Sequence, residues 1–148
     1  MKKAMWCSDC PKKSIVAAVF VAICTGLLLI PGGAAAFDPA AVETLKATNK
    51  CEKCDLSYAN LAGLALTYAY LDSANLTGAN LSSANLSGAN LHLAYLNNAV
   101  LNSANLSNAN LAAANLTGAD LSGADLSGAR WPDGNKCKQG SVGSCQKE

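Results

Sequence analysis

The side chains with most chemistry to offer are the cysteines and the single histidine. Cys51-Glu52-Lys53-Cys54 is a CxxC, a spacing used for thiol–disulfide exchange, for haem attachment and for metal ligation. Redox use wants a βαβ setting, and haem attachment wants His after the second Cys, where this chain has Asp55. Cys137 and Cys145 stand eight apart in a Gly- and Ser-containing tail. His92 is the only histidine, and Asp72 precedes it by twenty residues. One His excludes multi-His metal sites and argues against a hydrolase triad.

The elements that must position these residues are bounded by composition. The chain has 148 residues, room for one domain and a targeting segment. Charged residues are 14%, against ~25% in a typical soluble domain. Hydrophobic residues reach 51% with only 5% aromatic, so the apolar content is Leu and Ala. A net charge of +1 excludes a strongly basic nucleic-acid binder and a strongly acidic DNA mimic. Seven Cys are many for a reducing cytosol.

The first 36 residues read as a secretory signal peptide. Lys2, Lys3, Lys12 and Lys13 face one acid, Asp9; Ile15–Ile30 then runs without charge until Pro31-Gly32-Gly33, and Ala34-Ala35-Ala36 supplies small residues for cleavage. Cleavage after Ala36 leaves residues 37–148. The alternative is an uncleaved membrane anchor, since Gly32 to Phe37 extends an apolar run just short of the ~20 residues of a span. Export follows in both cases, because the lysines stay on the cytoplasmic side. A lipoprotein is disfavoured by the bulky Ile23 before Cys24. The expected location is periplasmic or extracellular, or the inner membrane facing the periplasm if anchored. The remaining chain has seven Lys/Arg, nine Asp/Glu and four Cys, and an even number of Cys in an exported chain points to disulfides.

A period of five dominates residues 54–129. Leu occupies every fifth position from Leu56 to Leu126, fifteen times without a miss. Ala stands two residues earlier except at Cys54 and Leu64, and Asn or Asp one residue earlier except at Ala65, Tyr70, Tyr95 and Val100. A helix scatters such Leu around its circumference and a flat strand alternates them between faces. A short extended piece with Ala and Leu two apart, followed by a turn every five residues, closes into a coil with both inside.

Units such as Ala79-Asn80-Leu81-Ser82-Ser83 and Ala119-Asp120-Leu121-Ser122-Gly123 resemble the pentapeptide-repeat family, whose motif is A-[DN]-L-x-x. The resemblance implies an all-β fold, a right-handed quadrilateral β-helix of four repeats per coil, here just under four coils and ~18 Å long at ~4.8 Å per strand. Solenoid ends need caps. Asp38-Pro39 predicts the start of a short capping helix with Val42 and Leu45 inward, ending at Thr48-Asn49. The expected organisation is a helical cap over 37–53, the β-helix over 54–129, and a C-terminal cap or tail over 130–148. Trp131 falls where the next Leu belongs, and Pro132-Asp133-Gly134 is a turn. Trp131, Asp133-Gly134, Cys137, Gly140-Ser141 and Cys145 also resemble a C-terminal segment of some exported family members. Both ends are expected to be covered and the chain to be a monomer.

Within that fold the candidate sites change weight. Cys51/Cys54 and Cys137/Cys145 lie at opposite ends of the shaft, too far apart to share a metal, so no metal or cofactor is expected. Each pair is a candidate disulfide, though Cys54 occupies an inward Ala position and also suits a small buried thiol. Residues twenty apart stack, which makes Asp72 and His92 neighbours, with Tyr70, Leu93 and Tyr95 beside them. This is a candidate interaction patch, weighed against a neutral exposed pair with scattered tyrosines. Outward Asn residues are expected to satisfy turn backbone groups.

The leading expectation is an exported, non-enzymatic interaction or structural module with an unknown envelope protein or polymer as partner. No nucleic acid is expected as a partner, and the membrane only through an uncleaved N-terminal segment. Some family members protect DNA gyrase by mimicking DNA, but export removes the protein from gyrase. Asp55, Asp72, Asp120 and Asp125 also give four charges where ~18 Å of DNA carries roughly ten. A surface- or ice-binding solenoid is suggested by the aligned Thr67, Ser87, Ser107 and Ser127 and weakened by the lack of a regular Thr pattern. A CxxC thiol-redox protein is the remaining alternative.

Overall fold

The five-residue period becomes a coil because a complete repeat places all five of its backbone donors. In the repeat around Leu76, the Leu76 N–H donates to Tyr95 O and the Gly78 N–H to Asn97 O, both one coil further on at 2.8 Å. The Asn75 N–H donates one coil back, to Cys54 O (2.9 Å), and the Ala79 N–H closes the turn on Leu76 O (3.0 Å). The fifth donor, Thr77 N–H, is taken by the Asn75 side-chain Oδ1 (3.2 Å). Buried backbone groups need such partners, and this arrangement supplies them without long strands.

In the computed structural model, which describes residues 37–148, this scheme repeats along the shaft. The segment 1–36, on which the signal-peptide and anchor readings rest, lies outside the described residues. Every parallel bridge joins residues twenty apart, from Lys50↔Tyr70 to Asn110↔Arg130. Four repeats therefore make one coil, and the coil has four sides, named here by their first Leu: Leu56, Leu61, Leu66 and Leu71. The inward Leu and Ala positions are buried through most of the shaft. The residue two after each Leu turns the corner with positive φ. Gly suits that conformation, yet Tyr58, Tyr68, Leu93 and Ala113 also adopt it, at roughly 1–2 kcal/mol each.

The amino end is closed by helix α1 (Pro39–Thr48). Asp38 Oδ1 caps it by accepting the Ala40 N–H at 2.9 Å, and Pro39 occupies a first-turn position. Ala41, Val42 and Leu45 face the core, and Asn49 ends the helix in the left-handed conformation. The Asn49 side chain then ties down the first coil by donating to Thr67 O (2.7 Å).

Two expectations need correction. The ladder starts at Lys50, not at 54, so the cap is α1 with its flanking residues rather than the whole of 37–53. Cys51 fills the Leu position of that first repeat and is 2% exposed. The carboxyl end is only half covered. The tail pairs antiparallel through Asp125↔Val142 and Arg130↔Lys136, along the Leu66 and Leu71 sides. On the other two sides of the last coil, Leu116, Ala119 and Leu121 are partly exposed. There the Leu116, Gly118 and Leu121 N–H groups make no backbone hydrogen bond among the described residues.

Candidate functional site

Asn or Asp before Leu has a local task. In all eleven repeats that carry it, Oδ1 accepts the backbone N–H two residues on. The four exceptions, Ala65, Tyr70, Tyr95 and Val100, give up that bond at Thr67, Asp72, Asn97 and Asn102. A hydrogen bond of this kind contributes ~0.5–1.5 kcal/mol. Tyr70 and Tyr95 stand there 49% and 55% exposed, so neither repays the loss by full burial.

The other tyrosines occupy strained corners. A methyl group at Gly78 would lie 2.5 Å from the Tyr58 ring, and one at Gly88 would meet the Tyr68 ring in the same way. Each ring thus comes against a glycine one coil further on, where a Cβ would displace the ring; the positive φ there is one that Gly adopts without strain and other corners of this chain adopt with Ser, Asn or Leu. Tyr58 and Tyr68 remain 60% and 71% exposed. These two lie outside the patch that the sequence suggests, although a Tyr with Gly twenty residues later is a visible signal. All four tyrosines, with Leu93 and Val100, fall between residues 58 and 100 of the shaft.

Between Tyr70 and Tyr95 the coil brings Asp72 under His92, with His92 Nδ1 at 2.9 Å from Asp72 Oδ1. The Ser73 hydroxyl donates to Asp72 Oδ2 at 3.0 Å. The His92 hydrogen bond, and next the Ser73 hydroxyl, hold the Asp72 carboxyl below the usual carboxylate range. Both the His92 ring and the Ser73 hydroxyl bond to the acid, and the Ser73 hydroxyl makes no hydrogen bond to the His92 ring; the two residues meet only through the Ser73 N–H and the His92 carbonyl oxygen (2.8 Å). A nucleophile activated by His needs that missing contact, so the trio has the residues of a triad without its connectivity. Lys50 Nζ sits 5.3 Å from the Tyr70 ring centroid, within cation–π range.

Each cysteine pair is bonded. Cys51–Cys54 (Cα atoms 5.3 Å apart) bridges the first and last residues of one corner, joining a Leu position to the next Ala position. This places Cys54 in a disulfide rather than as a free thiol. Cys51 Sγ lies 3.4 Å from the Ala41 carbonyl oxygen of α1. Cys137–Cys145 (5.1 Å) closes the tail. The hydroxyl row suggested for ice is partly spent internally: Ser87 Oγ and Ser107 Oγ are 3.0 Å apart, and Ser127 Oγ accepts the Gly140 N–H.

The described residues form a closed repeat coil with an aromatic corner. The family model "Pentapeptide repeats" matches eight copies over residues 54–92 and 94–130. The chain belongs to the pentapeptide-repeat family, whose fold is the right-handed quadrilateral β-helix. Its structure is similar to that of a pentapeptide repeat protein from Nostoc, with 37% identity, TM-score 0.57, and coverage of 61% of this chain and 75% of that one. It is also matched by a pentapeptide repeat protein of the Arabidopsis thaliana thylakoid lumen at 21% identity and TM-score 0.49, covering 77% of this chain and 92% of that one. HetL of Nostoc, a pentapeptide repeat protein involved in heterocyst differentiation regulation, matches at 36% identity and TM-score 0.21, over 55% and 42% of the two chains. No curated protein matches the sequence.

Proposed function

We propose that this protein is a non-enzymatic interaction module of the cell envelope, exported through its first 36 residues. It presents the Tyr70, Asp72, His92, Leu93 and Tyr95 patch to an envelope protein or polymer. The observation that carries the reading is the exchange of the turn-satisfying Asn for half-exposed Tyr at positions 70 and 95, which gives up a local hydrogen bond at each, with the Lys50 cation–π contact at Tyr70 and half-burial of both rings as the only return inside the fold. Residues kept at a stability cost are characteristic of binding surfaces. The shaft is rigid along four 20-residue steps from Lys50 to Arg130, which fixes the spacing of the patch. Two bonded cysteine pairs support an oxidising compartment.

The test is affinity capture from envelope extract with the wild-type chain and with Tyr70→Asn/Tyr95→Asn. The double variant regains both side-chain acceptors and is expected to melt at the same temperature or higher, while losing a specific captured component. Capture of the same set by both proteins, or of nothing specific by the wild type, sinks the proposal.

A further inference from the structure

At the carboxyl end the tail leaves a half-open hollow of about 330 Å³ lined by Asn108, Asn110, Gly128, Arg130, Gly134 and Lys136. We propose that this hollow binds an oxyanion, the carboxylate or phosphate group of a small molecule, between Arg130 and Lys136.

The first ground is charge. Arg130 and Lys136 are bridged partners on antiparallel segments. The flanking bonds are Trp131 N–H to Asn135 O and Cys137 N–H to Ala129 O, both 2.8 Å. Arg130 and Lys136 are therefore the non-hydrogen-bonded kind of pair, in which side chains stand closest. Like charges directly opposite on one face destabilise a ladder. Among the described residues the three ion pairs are Lys46–Glu43, His92–Asp72 and Lys147–Asp133, and neither Arg130 nor Lys136 belongs to any of them. Of the acids nearby, Asp133 in the turn is taken by Lys147, and Glu148 meets Lys136 through its backbone N–H to Lys136 O (3.1 Å) and forms no ion pair with it. An anion between the two cations turns a repulsion into two attractions.

The second ground is shape and donors. The guanidinium of Arg130 matches carboxylate or phosphate oxygens two at a time, and the Lys136 ammonium adds a point charge. The Asn110 amide accepts the Ala112 N–H (3.2 Å) and donates one N–H to Asn90 Oδ1 (3.1 Å), which leaves its second N–H free. The Asn108 side chain lies against Gly128 because no Cβ intervenes there. The volume is at the small end of ligand sites, which fits a compact acid rather than a chain. This site is independent of the aromatic patch and does not rest on it.

The test is thermal unfolding of the full chain with inorganic phosphate, citrate or chloride at matched ionic strength. The expected result is a midpoint that rises with phosphate or citrate by about 5 °C per tenfold excess over Kd. Shifts of the Asn108 and Asn110 side-chain amide resonances accompany it. Which anion acts at the lower concentration separates a phosphate ligand from a carboxylate one. Arg130→Gln and Lys136→Gln abolish the rise and, in chloride at low salt, melt above the wild type because the repulsion is gone. Lys138→Gln, outside the hollow, behaves as the wild type. An equal rise in the Arg130 and Lys136 variants, no rise in the wild type, or variants that melt lower in chloride would overturn the proposal.

Discussion

At the amino end a ten-residue helix packs Ala41, Val42 and Leu45 into the core, and Leu61 of the first coil is 0% exposed. At the carboxyl end a hairpin-like tail continues two sides of the coil and leaves two open, and Leu121, in the same inward position three coils on, is partly exposed. The repeat is the same at both ends, so the difference in burial comes from the manner of closure. Beneath the helix all four Leu of the first coil, Leu56, Leu61, Leu66 and Leu71, are buried, while Cys54 and Leu64 in the Ala positions stay partly exposed. An added strand covers only the side whose backbone it pairs with.

Leu61→Ala and Leu121→Ala test that contrast most directly. Truncating a fully buried Leu is expected to cost about 3 kcal/mol, and truncating the half-covered one about 1 kcal/mol. Chemical denaturation of the two variants measures both, and equal costs would mean that the carboxyl end is as well covered as the amino end.

The disulfides give the next largest effects. Loop entropy assigns about 2 kcal/mol to Cys51–Cys54 and about 2.5 kcal/mol to Cys137–Cys145, so the totals barely distinguish the ends. The location does. Cys51 sits in the core against Ala41, and Cys51→Ala/Cys54→Ala is expected to release hydrogen-exchange protection across α1 as well as the first coil. Cys137→Ala/Cys145→Ala is expected to release residues 136–148 and leave the shaft protected. Loss of shaft protection in the second variant would show that the tail holds more than its own two sides.

The smallest effect is a pH dependence of the tail. Lys147, and next the Asn135 N–H, draw the Asp133 carboxyl down from 3.8 to about 2. A lowered carboxyl pKa stabilises the folded tail above pH ~3.8, and that contribution fades as pH falls toward ~2. Protection of the tail amides, taken relative to intrinsic exchange at each pH, is expected to fall across that window in the wild type, and Asp133→Asn is expected to flatten the dependence. An unchanged slope in Asp133→Asn would place the acid sensitivity in another group.

The period of five was legible in the sequence because every inward position from Leu56 to Ala129 is filled by Leu or Ala and the spacing fits neither helix nor strand. The task of Asn and Asp was legible for the same reason, since those side chains bond to nearby backbone. The first repeat was not, because Lys50-Cys51 shares no residue with the Asn-Leu pattern; only its twenty-residue offset from Tyr70-Leu71 marks it. Tyr58, Tyr68 and Leu93 at left-handed corners ran against local preference, which favours Gly or Asn there. The hollow at Arg130 and Lys136 depends on how the tail folds back, and no local pattern encodes that pairing.

The twenty-residue register also turns the surface into a clock face. Residue number modulo twenty gives the hour, and the coil gives the height. An insertion or deletion of five residues preserves the core, since Leu still replaces Leu, but rotates everything beyond it by a quarter turn. Such a change between Ser73 and Asn90 would carry His92 to a neighbouring side and part it from Asp72, with little harm to folding. A change of twenty residues keeps every hour and alters only the height. Variation in length is therefore inexpensive for the scaffold in steps of five, but only steps of twenty preserve which surface residues meet.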